Sequence, residues 1–444
     1  MSLPAYPYYQ DSRVGWIGPI PRDWCVRRFR YVFRESGEKI ESEVVGQMLS
    51  VSGYRGIEVK DYDDENRRRL DEQLSGYRIV RPGQLVVNTM WLNYAGLGVS
   101  DYEGHVSPAY RSYWISSDLD RRFIHYLMRS STYVQGYTQL LTGIRPNSLQ
   151  MSRDDLMNFP VLIPPRADQV AIAAFLDRET AKIDAPMEEQ RRLIELLKEK
   201  RRAVISRAVT RGLDPAVPTK DTGVEWLGEV PAHWERTQLG RLCRQVSDGP
   251  HFSPAYVDDG VLFLSARNIR ADRWSLDDAK FICEEDYQEF CRRVTPERGD
   301  VLYTKGGTTG VARVVDLDER FQVWVHVAVL KIKPEVIDPY FLAYSLNGTV
   351  CYEQAQLHTR GATNNDLGLT RMILIWLAFP SIEEQQDIVR HLDDACGTID
   401  ALISSAEAAT NLLQEHRAAL ISAAVTGKID VRDRVENPLE VEAA

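Results

Sequence analysis

The chain has 444 residues, of which 44% are hydrophobic and 27% charged. That is an ordinary globular composition, which excludes a wholly disordered, collagen-like or membrane-embedded chain and leaves room for two to four folded units. A net charge of −10 argues, taken over the whole chain, against a basic nucleic-acid binder.

Near the start, Trp16-Ile-Gly-Pro-Ile-Pro-Arg-Asp-Trp24 forms a compact signature. Strands are predicted at 84–88 and 112–115, a short helix at 123–129, and a strand at 159–163, from their content of valine, isoleucine and aromatics. From Asp168 to Arg211 there is no glycine, and leucine, alanine, glutamate, lysine and arginine dominate, which predicts a long helix. Pro186 should break or kink it near Ala185. The signature then returns as Trp226-Leu-Gly-Glu-Val-Pro-Ala-His-Trp234. Strands are predicted at 261–265, 300–303, 323–332 and 374–379, and a short helix at 338–346. Gly212 and Gly427 are helix stops.

The chain is therefore written twice. Residues 164–214 align without gaps on 380–430, with 19 of 51 positions identical, among them Gln169/Gln385, Ile183-Asp184-Ala185/Ile399-Asp400-Ala401 and Ala208-Val209-Thr210/Ala424-Val425-Thr426. The stretches between the shared ends match poorly. One echo is Pro82-Gly83-Gln84-Leu85 against Arg298-Gly299-Asp300-Val301. The expected architecture is α/β: residues 1–163 and 215–379 as two mixed α/β domains, 164–214 and 380–430 as helical regions, and 431–444 as a disordered tail. Ile194, Leu197, Val204 and Ala208, with Leu413, Leu420 and Ala424 in the second copy, fall at heptad-like steps, so the two helices should pack together as a coiled coil.

Catalytic signals are weak. Ile337-Asp338-Pro339-Tyr340-Phe341 approaches the Asp-Pro-Pro-Tyr loop of amino-methyltransferases but lacks the second proline, so a helix start after a turn is the better reading. Lys305-Gly306-Gly307-Thr308-Thr309-Gly310 has phosphate-loop composition in the wrong order, and Ala95-Gly96-Leu97-Gly98 lacks a strand–loop–helix context. Eight histidines show no metal-ligand spacing. Six cysteines without a CxxC pair fit a reducing cytoplasm, no signal peptide is evident, and the longest apolar run is about half of a membrane span.

What remains is recognition chemistry. Arginine can fork onto guanine, asparagine can pair with adenine, and aromatics and lysine hold bases and phosphates. The first variable stretch offers Arg55, Asn88, Trp91, Asn93, Tyr94, His105, Tyr110, Arg145 and Asn147. The second offers His251, Arg267, Asn268, Lys305, Thr308, Arg360, Asn364 and Asn365. Any one of these could equally be an ordinary turn residue.

The Trp-x-Gly-x-x-Pro-x-x-Trp signature, with Glu179-Thr-Ala-Lys-Ile-Asp184, Leu197-Lys-Glu-Lys-Arg201 and Ala208-Val-Thr-Arg-Gly-Leu-Asp214, resembles the specificity subunits of type I restriction–modification systems. The resemblance covers nearly the whole chain. It implies two target recognition domains, each reading half of a bipartite site in double-stranded DNA. It implies an antiparallel pair of helices that sets the spacing and docks two adenine-methylating modification subunits, with restriction subunits joining that core. S-adenosylmethionine, ATP and Mg2+ would belong to those partners, with no cofactor, metal or catalytic residue in this chain. Two other readings compete: a stand-alone DNA methyltransferase, and a coiled-coil adaptor without DNA contact. The charge also divides: residues 1–160 carry +1, 161–215 +2, 216–379 −5 and 380–444 −8. Weak DNA binding by the chain alone, strengthened inside a complex, follows from that division.

Overall fold

The structure is a computed structural model that describes residues 3–41, 43–53, 55–60, 74–143, 149–359 and 366–434. It divides into two compact units, residues 1–190 with 408–444, and residues 191–407. Each contains most of one variable stretch and a part of each long helix.

In the first unit the signature forms a hairpin, Tyr9–Asp11 against Pro19–Pro21, and delivers Trp24 into the core. Strand Cys25–Arg28 pairs antiparallel with Pro160–Ile163, which leads into the long helix Arg166–Arg211. The main sheet runs Phe33–Glu35, Tyr110–Ile115, Gln84–Asn88, Leu97–Val99. The second unit repeats this plan. Hairpin Thr219–Asp221/Glu229–Pro231 delivers Trp234, and Glu235–Gln238 pairs with Trp376–Phe379 ahead of helix Ile382–Val425. Its sheet runs Cys243–Asp248, Val327–Ile332, Val301–Thr304, Ala312–Val314. The order matches strand for strand. The faint echo at Gly83 and Gly299 marks the same turn, where φ of +83° and +90° places the chain in a region only glycine enters freely.

Where sequence is shared, side-chain contacts are shared too. Gln169 is buried; its Oε1 accepts from the Asp120 amide at 2.7 Å and its Nε2 donates to Pro164 O at 2.9 Å. Gln385 accepts from the Asp338 amide at 2.8 Å and donates to Val336 O and Pro380 O at 3.0 and 2.9 Å. Each glutamine thus fixes the residue that caps the unit's first helix after the sheet, Arg121–Arg129 or Pro339–Asn347. Trp24 Nε1 donates to Asp168, and Trp234 Nε1 to Glu384. Tyr126 donates to Asp177, and Tyr344 to Asp393. Within the first unit Arg417 pairs with Asp184 at 2.8 Å; within the second Arg201 pairs with Asp400 at 3.0 Å. In each unit the two helix segments run antiparallel.

Two expectations are corrected. Pro186 does not end its helix, which runs 46 residues from Arg166 to Arg211. The proline lies on the exposed face, as does Lys182 four residues earlier, so the carbonyl deprived of its N–H partner is open to water. The apolar run 323–332 is two strands, Phe321–Val323 and Val327–Ile332, which belong to different sheets; residues 324–326 carry the chain across. Of the tail, Val431 is buried in the first unit's core.

Candidate nucleic-acid interface

In the second unit a cleft of about 820 Å³ opens between the strand end at Val261–Leu264, the glycine loop and the crossing at 324–326. Arg267, Lys280, Thr308, Trp324, His326 and Tyr256 line it. The local sequence explains the placement. Ser265 and Asn268 form a capping box around a single 3-10 turn, which leaves Arg267 exposed between them. A Cβ on Gly306 would lie 2.1 Å from His326 Nδ1, so glycine is what admits the imidazole wall. His326 Nδ1 is buried without a partner, while Trp324 packs edge-on to the same ring at 5.1 Å.

The glycine loop stands on a buried ion network. Asp248 pairs with Lys305 at 3.4 Å, both almost fully buried, and with Arg293; Lys305 also reaches Asp366 at 3.2 Å. Burial pushes the Asp248 carboxyl upward, but the Arg293 hydrogen bond and the charges of Lys305, Arg293 and His251 outweigh it and hold it below the usual range. The network fixes the loop's start, and Leu367 N bonds Lys305 O at 2.7 Å beside it. A basic, aromatic cleft over a rigid floor can grip phosphates and face base edges. Asp278, also in the lining, can accept from an amino group such as that of cytosine.

In the first unit, Trp91 and Tyr94 are 56% and 58% exposed, with their rings 5.8 Å apart, and Arg55 is exposed beside Glu58. They stand on the turn after Gln84–Asn88, which Arg129 ties down through the carbonyls of Ser52, Gly53, Ala95 and Leu97. Asn93 is half-buried, and Tyr110 half-buried on the neighbouring strand.

Several residues chosen from the sequence are occupied inside the fold. Asn88 is buried and accepts from the Met90 amide; His105 is buried against Val45 O; Asn268 closes the capping box and reaches Ser275 O; Lys305 is spent in the ion network. Burial and satisfied hydrogen bonds make these four supports rather than contacts. Arg267 and Thr308 come together in the cleft, and His251 stays exposed next to Asp248 and Arg293. Arg145, Asn147, Arg360, Asn364 and Asn365 lie outside the described residues. Sequence reasoning missed Tyr256, Lys280, Trp324 and His326. The pair Trp-x-His interrupting a valine run was the signal that could have found the last two. On the helices, Ile194, Leu197, Ala208 and Ala424 are buried, and Val204, Leu413 and Leu420 half-buried. Asp338 is a helix cap that accepts from the Tyr340 and Phe341 amides, as its single following proline suggested. Among the described residues no group of His, Cys, Asp and Glu is placed to hold a metal, and no helix is long and apolar enough to cross a membrane.

Residues 255–405 match the family model of the type I restriction modification DNA specificity domain, and the cleft lies within that span. The chain is 26% identical over 288 residues to the EcoBI specificity subunit of a type I restriction enzyme from Escherichia coli, covering 62% of this chain and 60% of the relative. It is 24% identical over 333 residues to the EcoKI specificity subunit of Escherichia coli strain K12, covering 71% and 67%. The matched region thus spans about three fifths of the EcoBI subunit. A chain solved in a study of complex assembly and conformational transition of the type I R-M system shares the fold at a TM-score of 0.59 and 17% identity, covering 91% of this chain and 98% of that one. The chain is a homologue of type I restriction–modification specificity subunits and carries a DNA specificity domain.

Proposed function

We propose that this chain is the non-catalytic specificity subunit of a type I restriction–modification complex. Each variable domain reads one half of a bipartite double-stranded DNA site, and the paired helices set the separation of the halves and dock two modification subunits. Methylation, ATP hydrolysis and cleavage then belong to modification and restriction subunits, together with S-adenosylmethionine, ATP and Mg2+. The observation that carries this reading is the recurrence of one set of seam contacts under two divergent heads. Identical partners need two similar docking surfaces, while two half-sites need two different readers. The exposed Leu196 (53%) and Leu412 (67%), equivalent in the repeat, support docking in pairs.

In the second unit Arg267 is the base reader, with Lys280 and Thr308 on the backbone and Trp324 as an apolar wall. Methylome sequencing of cells carrying the system tests this. The native chain should direct adenine methylation to a split motif, and Arg267→Ala should relax one base of one half, a loss of about 1–3 kcal/mol in discrimination. An unchanged motif would remove Arg267 from the interface. The absence of any chain-dependent adenine motif would remove the function.

A further inference from the structure

Each unit holds a cleft at the same place in the repeat, between the first helix after the sheet and the long-helix segment behind it. In the first unit it measures about 570 Å³ and is bordered by Tyr126, Arg129, Gln135, Gln414, Arg417 and Ile421. In the second it measures about 300 Å³ and is bordered by Tyr344, Asn347, Arg201 and Ile205, which occupy the positions of Tyr126, Arg129, Arg417 and Ile421. The ion pair Asp184–Arg417 borders one and Asp400–Arg201 the other. Duplication preserved the walls.

It did not preserve the charge. The first cleft has no aspartate or glutamate in its lining. Its Arg129 hydrogen-bonds only neutral carbonyls, those of Ser52, Gly53, Ala95 and Leu97, and no carboxylate bonds it among the described residues. Removal from water, and then the nearby Arg417, lower its pKa to about 10, the mark of a cation without a close counter-ion. Asn93 Oδ1, in the same lining, is buried and unpartnered, an acceptor awaiting a donor. In the second cleft Arg129 is replaced by neutral Asn347, whose amide is closed onto the Ala312 backbone in both directions. There Asp272, Asp316, Asp393 and Asp400 outnumber Arg201 and Arg313.

We propose that the two clefts are sockets for the same acidic segment of the two modification subunits, and that the cationic first socket holds it more tightly, so the subunits load in order. A carboxylate of that segment answers Arg129 and a backbone N–H answers Asn93. The anionic second socket repels the same carboxylate. This inference rests on the reading above that two modification subunits dock on the paired helices.

The test is a titration of the full-length chain with the purified modification subunit of its own system, followed by native mass spectrometry and calorimetry at low and high salt. A 1:1 complex should accumulate before the 2:1 complex, with the first step tighter by about tenfold or more and the difference shrinking as salt screens it. Gln135 and Gln414 are exposed in the first cleft. Their joint replacement by glutamate should weaken the first step about tenfold and spare the second, while replacement by alanine changes neither. Asp272→Lys, at an exposed position of the second cleft, should tighten the second step. Two equal steps in the native chain, or a first step indifferent to the glutamate pair, would overturn ordered loading while leaving the function intact. If no modification subunit binds the native chain, the functional reading itself fails.

Discussion

Replacing Gln385 by leucine keeps nearly the same volume and removes only polar contacts. The amide of Asp338 loses its acceptor, and the carbonyls of Val336 and Pro380 lose a donor, all beside a side chain with no exposed surface. Gln169→Leu releases only two such groups, the Asp120 amide and Pro164 O. At about 1–3 kcal/mol per orphaned buried group, less what the leucine regains by burial, Gln385→Leu should cost roughly 3–6 kcal/mol and Gln169→Leu roughly 2–4 kcal/mol. The damage should also be local, because each glutamine serves one helix start. Amide hydrogen exchange reads both quantities at once. Protection should fall at residues 336–342 in Gln385→Leu and at 120–124 in Gln169→Leu, with the other repeat unchanged. A loss below about 0.5 kcal/mol in either variant would show that water replaces the amide, and the clamp would then be no more than ordinary surface polarity.

Charge reversal tests the repeated ion pair: Arg201→Asp and Asp400→Arg should each destabilise, and the double variant should recover a coupling of only about 0.5–1 kcal/mol, because Asp400 is partly exposed. A double-mutant cycle in urea with zero coupling would refute it. His125 is held neutral, chiefly by burial and then by Arg129, with its pKa lowered to about 3. Its folded value lies below the unfolded one, so its contribution is complete above about pH 6.5 and falls as the pH drops toward 3; between pH 6.5 and 5 the loss is at most about 2 kcal/mol. His125→Gln should flatten that part of the stability profile, and an unaltered slope would contradict the assignment. Burial pushes the thiols of Cys243 and Cys351 up to about 12, while Cys25 is exposed. A maleimide should therefore label Cys25 in the native protein and spare the other two until unfolding; mass mapping that finds early modification of Cys351 would be at odds with the core.

The repeat and its helices were legible because the residues that recur are the ones with obligatory partners. Gln169 and Gln385 bond main-chain atoms, which every sequence supplies, so the glutamine alone carries the signal. The clefts were not legible. Arg267, Lys280, Thr308 and His326 come from four separate segments, and only the sheet crossing at 324–326 brings them together. Composition also cannot separate a polar side chain that faces solvent from one that braces a loop, which is why Asn88, His105, Asn268 and Lys305 were chosen as contacts. Pro186 was misjudged for a related reason: the rule that proline ends a helix supposes a carbonyl with no other partner, and on an exposed face water supplies one.

The doubled ion pair also bears on ancestry. Asp184 and Asp400 are the same position of the repeat, and so are Arg201 and Arg417. The bond between Asp184 and Arg417 therefore joins two positions that a single repeat already carries, as does the bond between Arg201 and Asp400. A protein one repeat long would meet a second copy of itself with both bonds formed across a dyad, aspartate to arginine and arginine to aspartate. Such a pair reads a palindrome, because its heads are identical. Fusing the two copies into one gene freed the heads to diverge while the dyad contacts stayed fixed, and an asymmetric target became available without inventing a new interface.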